Sequence, residues 1–144
     1  MYRDLSLYFI DILIAINKIQ RYTKDIKSSN ELTANEIIYD ATIRELIIIG
    51  EAVNILIKSN FLSKDYRKIV DFRNMIVHGY FGIDEEILFM IIVNKLPELK
   101  EKLIDILRKN KINVKDVINE TIKDFKNQKE VIKFLKNLKE IIWK

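Results

Sequence analysis

The side chains best suited to chemistry lie in one short stretch of the sequence, residues 71–82, which reads DFRNMIVHGYFG. It contains Arg73, Asn74, Tyr80 and the only histidine of the chain, His78. An imidazole donates or accepts protons near neutral pH, and a guanidinium holds anions through a fixed fork of donors. The stretch is therefore a candidate site for proton transfer on an anionic substrate.

The rest of the sequence argues against most other kinds of catalytic site. Because the chain has no cysteine, it has no thiolate nucleophile, and one histidine without cysteines argues against a zinc site. The sequence contains neither a G-x-S-x-G turn nor a glycine-rich phosphate loop, and it has only three glycines. These absences exclude most conventional enzyme classes, and no residue pattern in the sequence indicates a cofactor.

Spacing limits how two of these side chains can act together. Five residues advance a helix by roughly 500°, so Arg73 and His78 point about 140° apart. They share a site only if the helix ends early or if two chains contribute to it. The alternative is an ordinary helix C-terminus, in which His78 favours the negative end of the helix dipole and Gly79 ends the helix. Arg73 would then form a salt bridge with a neighbour, and on spacing alone this plainer interpretation is favoured.

The elements that position this stretch are predicted to be helices around one core. The chain has 144 residues, 49% hydrophobic and 32% charged, and its three glycines and one proline are too few for a β-sandwich or barrel. Apolar residues at spacings of three and four predict a first helix over about residues 4–24. A capping box from Thr33 to Glu36 predicts the start of a second helix, which ends near Lys58.

The same reading predicts the later helices. A third begins near residues 63–65 and ends at His78, and a fourth opens at Asp84, an N-cap residue followed by two acids. Pro97 either kinks this helix or lies in the first turn of a new one. Residues 112–144 are predicted to form one or two further amphipathic helices. Together these elements predict an all-α fold, an antiparallel helical bundle.

The basic charge of the chain is concentrated at its end. Residues 111–144 hold nine lysines and five acidic residues, so the net charge of +4 lies there and residues 1–110 are neutral overall. We divide the chain into a helical bundle, 1–110, and a basic amphipathic helical extension, 111–144. The lysines of the extension could follow an RNA backbone, and Trp143 could stack on a base. Their spacing is more typical of the solvated face of an amphipathic helix, which is the favoured interpretation.

The sequence also predicts where the protein works. The longest stretch without formal charge, residues 74–83, has about ten residues, short of the roughly 18 that a membrane-spanning helix needs. No small-residue cleavage site follows the N-terminal residues. We expect a soluble, cytoplasmic protein with no membrane partner.

Arg73, His78 and Tyr80 follow the spacing R-x4-H-x-Y, and in this the chain resembles the HepT toxins, members of the HEPN superfamily of helical ribonucleases. Other blocks similar to the family's usual sequence are RD at 3–4, YT at 22–23, IGEA at 49–52, GYFGID at 79–84 and LPELK at 96–100. The resemblance covers about residues 2–109. It departs ahead of the motif, where the family commonly has a proline and a tryptophan and this chain has FLSKDY at 61–66.

The resemblance implies a HEPN-like bundle that forms a homodimer and places two motifs at a shared cleft. It also implies a metal-independent RNA nuclease, with Arg73 and His78 as catalytic residues and Asn74 and Glu51 in support. The residue types suit this, because a histidine can move the proton of an RNA 2′-OH and an arginine can hold the phosphate oxygens. The expected products are a 2′,3′-cyclic phosphate and a 5′-hydroxyl.

Tyr80 has a separate role by the same resemblance. HepT toxins are silenced by MntA, a small nucleotidyltransferase antitoxin that transfers AMP from ATP onto the tyrosine of H-x-Y. An AMP on Tyr80 would place a charged phosphodiester two residues from His78. The alternative for Tyr80 is a packed aromatic residue whose hydroxyl forms a hydrogen bond, and the resemblance favours the modification site over it.

Two other classes of function remain open. One is a non-catalytic helical module that binds nucleotides or docks on a nucleotidyltransferase, and the other is a purely structural dimeric bundle. The joint presence of Arg73, His78 and Tyr80 favours the nuclease, because neither alternative needs all three. We expect RNA and an MntA-like nucleotidyltransferase as partners, and no DNA.

Overall fold

The computed structural model describes residues 4–79, 82–110 and 114–143, and within these ranges the chain is helical and contains no strand. The α-helices are α1 (Leu5–Tyr22), α2 (Ser29–Ala34), α3 (Glu36–Lys58), α4 (Arg67–His78), α5 (Glu85–Met90), α6 (Leu96–Lys109), α7 (Lys115–Asp124) and α8 (Lys129–Ile142). A 3₁₀ turn, Lys64–Tyr66, precedes α4, and a π-helical segment, Ile91–Lys95, joins α5 to α6. The prediction of an all-α bundle is confirmed.

Helix α1 lies at the centre of the core. It begins after Asp4, whose carboxylate accepts a hydrogen bond from the Ser6 backbone N–H at 2.9 Å, and this bond lowers the pKa of Asp4. Its buried apolar residues lie on more than one face: Phe9, Ile10, Ile12, Leu13, Ile14, Ala15, Ile16 and Ile19. Helix α3 packs against α1, and so do α6, α7 and α8. A helix covered in this way is apolar nearly all round because several neighbours bury it.

The predicted capping box at Thr33 is wrong. Ser28 caps the short helix α2, and Asn35 caps α3, with its side-chain oxygen accepting from the Ile38 N–H at 3.1 Å. The Thr33 hydroxyl instead donates to the carbonyl oxygen of Ser29 at 3.2 Å, inside α2. Asparagine is at least as good an N-cap as threonine, so the residue next to Glu36 caps the helix.

The end of α4 and the start of α5 are as predicted, whereas α4 begins at Arg67 and residues 64–66 form the 3₁₀ turn ahead of it. Gly79 follows α4 in the left-handed conformation, with φ of 67°, which glycine adopts without strain. The Asp84 carboxylate caps α5 by accepting from two backbone N–H groups. Pro97 lies in the first turn of α6, directly after the π-helical segment. A wider turn ahead of the proline accommodates a residue that has no N–H to donate.

Tyr66, the aromatic residue ahead of α4, is buried at the end of the 3₁₀ turn. Burial raises the pKa of its phenol, and the carboxylates of Glu98 and Asp65 add to that rise. The ammonium of Lys95 lies 5.9 Å from the ring centroid. These contacts tie the start of α4 to the start of α6.

The C-terminal extension folds as two helices, α7 and α8, which pack on α1 and α6. Their buried apolar residues join the same core as α1 and α3: Val114, Ile118, Val131, Leu135, Leu138 and Ile142. Arg108 of α6 donates to the Ile141 carbonyl oxygen from Nε at 3.0 Å and from Nη2 at 2.6 Å. This contact satisfies a carbonyl in the last turn of α8. The functional division at residue 110 stays a prediction.

The helices of the described ranges include none that is both long and apolar enough to cross a membrane.

Candidate active site

The site is built on the antiparallel pair α3 and α4. Arg67, at the start of α4, lies beside Asn54, and Arg73, six residues later, lies beside Glu51. The helices approach closely at Gly50, where an added Cβ would lie 2.3 Å from the Arg73 Cβ and 2.7 Å from its Cγ. No other residue type fits there unless the helices move apart, so Gly50 sets where the stem of Arg73 lies.

Two side chains hold the Arg73 guanidinium. Its Nη2 lies 2.7 Å from the Glu51 carboxylate, and its Nη1 donates to the Asn74 side-chain oxygen at 2.9 Å. The Arg73 side chain is 25% exposed, and its Nε is buried with no hydrogen-bond partner. A guanidinium has five N–H donors, so these two contacts leave one further hydrogen on each Nη. Arg73 is thus oriented by the protein and still able to donate to an anion.

His78 is the last residue of α4, and its side chain is exposed. Because α4 is continuous from Arg67 to His78, the five-residue spacing applies, and the two side chains point about 140° apart and lie about 7.5 Å apart along the axis. One chain therefore places Arg73 against α3 and His78 at the end of α4, on different faces.

The predicted site residues divide into three groups. Arg73, Asn74 and Glu51 are brought together by direct contacts. His78 is on the same helix, but on another face. Tyr80, the predicted modification site, lies outside the described residues.

Gly50 is a site residue whose role the sequence did not reveal. The sequence showed it only as part of the IGEA block, whereas the structure makes it the point of contact with Arg73. The available signal was a glycine in the interior of a long helix, which costs about 1 kcal/mol relative to alanine and usually has a packing reason.

Within residues 4–79, 82–110 and 114–143, no group of three or more His, Asp or Glu side chains is placed to hold a metal ion. The polar groups around Arg73 are one carboxylate and one amide, which suit a guanidinium. The absence of a metal requirement stays a prediction.

Comparison with known proteins places this chain in a family. The model of the family described as Ribonuclease HepT-like matches residues 12–106, which include α3, α4 and their contact. This chain belongs to the HepT-like ribonuclease family. The predicted resemblance, and with it the assignment to an endoribonuclease family, is confirmed.

Individual relatives agree with the family match. A "Putative RNase" of Methanocaldococcus jannaschii is 36% identical over 104 residues, covering 70% of this chain and 94% of the relative. The "Probable ribonuclease HepT" of Thermococcus cleftensis is 32% identical over 105 residues, covering 71% and 94%. A "Putative RNase" of Caldanaerobacter subterraneus is 33% identical over 88 residues, covering 58% and 78%. No solved structure matches the chain significantly. The family match ends at residue 106, so α7 and α8 lie outside it.

Proposed function

We propose that this protein is a metal-independent endoribonuclease toxin in which Arg73 and His78 act on one RNA phosphate. The observation that carries the proposal is the fixed position of the Arg73 guanidinium. Gly50 leaves the space for the aliphatic stem of Arg73, and Glu51 and Asn74 hold its guanidinium. An exposed histidine, His78, follows five residues later on the same helix. An arginine that forms only a structural salt bridge needs neither a second side-chain partner such as Asn74 nor a glycine packed against its stem.

The proposed reaction uses the 2′-hydroxyl of the RNA as its nucleophile. The 2′-oxygen loses its proton to a base, forms a bond to the adjacent phosphorus and displaces the 5′-oxygen, which takes up a proton. His78 moves these protons, and the free N–H groups of Arg73 hold the phosphate oxygens as negative charge accumulates. The products are a 2′,3′-cyclic phosphate and a 5′-hydroxyl, and no metal ion takes part.

A homodimer is the second part of the proposal. Because Arg73 and His78 of one chain lie on different faces of α4, two copies must meet for both side chains to reach one phosphate. Val77, next to His78, is an apolar residue that is 47% exposed. This supports a surface that a second copy covers, with the cleft between the two α4 ends.

The third part concerns control in the cytoplasm by a nucleotidyltransferase antitoxin of the MntA type. The Tyr80 phenol oxygen would bond to the α-phosphorus of ATP, lose its proton and release pyrophosphate. The resulting AMP group carries a negative phosphodiester two residues from His78. It would repel an RNA phosphate and block the approach to the histidine.

The test is RNA cleavage in EDTA by the purified, unmodified protein, beside the variants His78→Ala and Arg73→Ala. The wild type is expected to give products with 2′,3′-cyclic phosphate ends. Each variant is expected to cleave about 100-fold more slowly or worse. Arg67→Ala is the matched control, since Arg67 lies on α4 with a half-exposed side chain and is expected to be dispensable.

Cleavage that persists in His78→Ala would contradict the proposed site. No cleavage of several RNAs by an unmodified dimer would favour the alternative, a non-catalytic helical module that binds nucleotides or docks on a nucleotidyltransferase.

A further inference from the structure

A groove runs between α1 and α8, away from the contact of α3 with α4. It encloses about 350 Å³ and is lined by Asn17, Arg21, Glu130, Lys133, Phe134 and Asn137. Two of its six lining residues belong to the family region, and four belong to the extension that the family match leaves out. The groove therefore exists only because α8 packs on α1.

The groove and its rim carry more cations than carboxylates. Arg21 donates from Nε to the Asn17 side-chain oxygen at 3.0 Å, and the Lys100 ammonium lies 5.7 Å from the centroid of the Phe134 ring. Among the described residues, no ion pair involves Arg21, Lys100 or Lys133. The lining therefore carries two cations, Arg21 and Lys133, against one acid, Glu130, and Lys100 lies close by at the Phe134 ring. This local excess of positive charge favours an anion in the groove.

The remaining lining residues suit nucleobases. Asn17 and Asn137 carry amides that can donate and accept hydrogen bonds at a base edge. Phe134 supplies a half-buried ring on which a base can stack. A positively charged groove with an aromatic side chain is how proteins commonly hold single-stranded nucleic acid.

The groove and His78 lie at the same end of the bundle. The Phe9 and Phe61 rings are 5.4 Å apart, which places the start of α1 beside the end of α3. Arg67, in the first turn of α4, contacts Asn54 near the C-terminus of α3, so α4 starts at this end of the bundle too. The C-termini of α1 and α4 therefore both lie at the opposite end. Arg21 is in the last turn of α1, so a strand held at His78 can extend towards the groove.

We propose that the groove between α1 and α8 binds single-stranded RNA, with phosphates on Arg21 and Lys133 and a base on Phe134. This makes the extension a substrate-binding element, and it rests on the proposed ribonuclease function. It also divides the lysines of the extension into two kinds. Lys133 faces α1 across the groove, whereas Lys139 contacts Asn119 within the extension at 3.0 Å.

The binding test uses fluorescence anisotropy with a 2′-O-methyl RNA of about 12 nucleotides, which fits the site sizes typical of single-strand binders. Such an RNA has no free 2′-hydroxyl and is not cleaved by the proposed route. The double variant Arg21→Ala/Lys133→Ala is expected to weaken binding and to lower the salt dependence, the slope of log K against log salt, by about 1.4. Phe134→Leu keeps an apolar side chain and is expected to weaken binding about fivefold or more.

Lys136→Ala is the matched control, because Lys136 is an exposed lysine of α8 that does not line the groove. It is expected to leave the salt slope nearly unchanged, and thermal melting checks that every variant is folded. If the double variant and Phe134→Leu bind RNA as Lys136→Ala does, the groove is not an RNA site and the proposal is overturned.

Cleavage kinetics separate this proposal from the ribonuclease proposal. For an RNA long enough to reach the groove, the double variant should raise KM and leave kcat unchanged, and for an RNA of about four nucleotides both constants should stay the same. Cleavage of long RNA with an unchanged KM would overturn the groove while the ribonuclease stands. If no RNA is cleaved by the wild type, the proposed function fails, and the anisotropy experiment still decides the groove.

Discussion

The contact of α3 with α4 and the contact of α8 with the bundle are held together in opposite ways. The first depends on a missing side chain, because Gly50 leaves the space that the Arg73 stem fills. The second depends on side chains that are present, among them Val131, Leu135 and Leu138, which are buried against the body. The family match includes the first contact and ends before the second.

The two contacts should therefore differ in how many amino-acid substitutions they tolerate. Packing by apolar volume accepts many sequences, provided that volume and pattern are kept. A close helix contact that positions a guanidinium tolerates few substitutions, because a shift of about 1 Å can lower the rate of catalysis about 100-fold. The buried apolar residues of the extension should therefore respond to substitution mainly through stability, and Arg73 with the side chains that hold it mainly through activity.

The largest effect on stability is expected from Leu135→Ala in α8. Leu135 is fully buried, and its truncation should lower the free energy of unfolding by about 2–5 kcal/mol. Urea unfolding measures the loss, with the exposed neighbour Lys136→Ala as the control. The folded fraction should still cleave a short RNA at the wild-type rate, and a loss of activity beyond the loss of folded protein would show that the two regions are coupled.

The largest effect on activity without loss of stability is expected from Arg73→Lys. A lysine keeps the charge but lacks the planar fork that Glu51 and Asn74 hold, so cleavage should fall by about 100-fold. The melting temperature should change little. Arg67→Lys, on the same helix, is the control and should keep full activity. Equal activity of the two lysine variants would mean that charge alone is needed at position 73.

Gly50→Ala tests the close approach directly. At an unhindered helix position this change stabilises by about 1 kcal/mol, but here the new Cβ meets Arg73 and should destabilise by about 1–3 kcal/mol. The same change in an Arg73→Gly background, where the opposing Cβ is gone, should lose much less stability. Urea unfolding of the four proteins gives the coupling. A coupling of zero would mean that the helices separate freely at this point.

Much of the fold could be predicted from the sequence because its signals are local. The periodic apolar residues of α1, the cap at Asp84 and the glycine after His78 each act within one helix, and each prediction is confirmed. The capping box at Thr33 is wrong because two overlapping N-cap signals compete there, and the asparagine next to Glu36 caps the helix.

The site could be predicted only as far as its residue types. Gly50 and Arg73 lie on different helices and are 23 positions apart in the sequence. The spacing of apolar residues within a helix does not indicate a contact between residues so far apart. The spacing of the lysines predicts that the polar face of α8 is solvated, but one side of that face lines a groove with α1. The sequence could not indicate this groove because it does not show where α8 packs. The homodimer and the modification of Tyr80 stay predictions.

The smallest effect, and the finest test of the comparison, is expected from Glu51→Gln. The Glu51 side chain is 55% exposed, so its ion pair with Arg73 should contribute less than about 1 kcal/mol to stability. Cleavage should nevertheless fall several-fold, because the glutamine keeps one hydrogen-bond acceptor but no longer fixes the guanidinium by charge. If cleavage rises instead, Glu51 competes with the RNA phosphate for Arg73, and its carboxylate would be a brake on the site. Glu31→Gln, an exposed acid of α2, controls for the change in net charge.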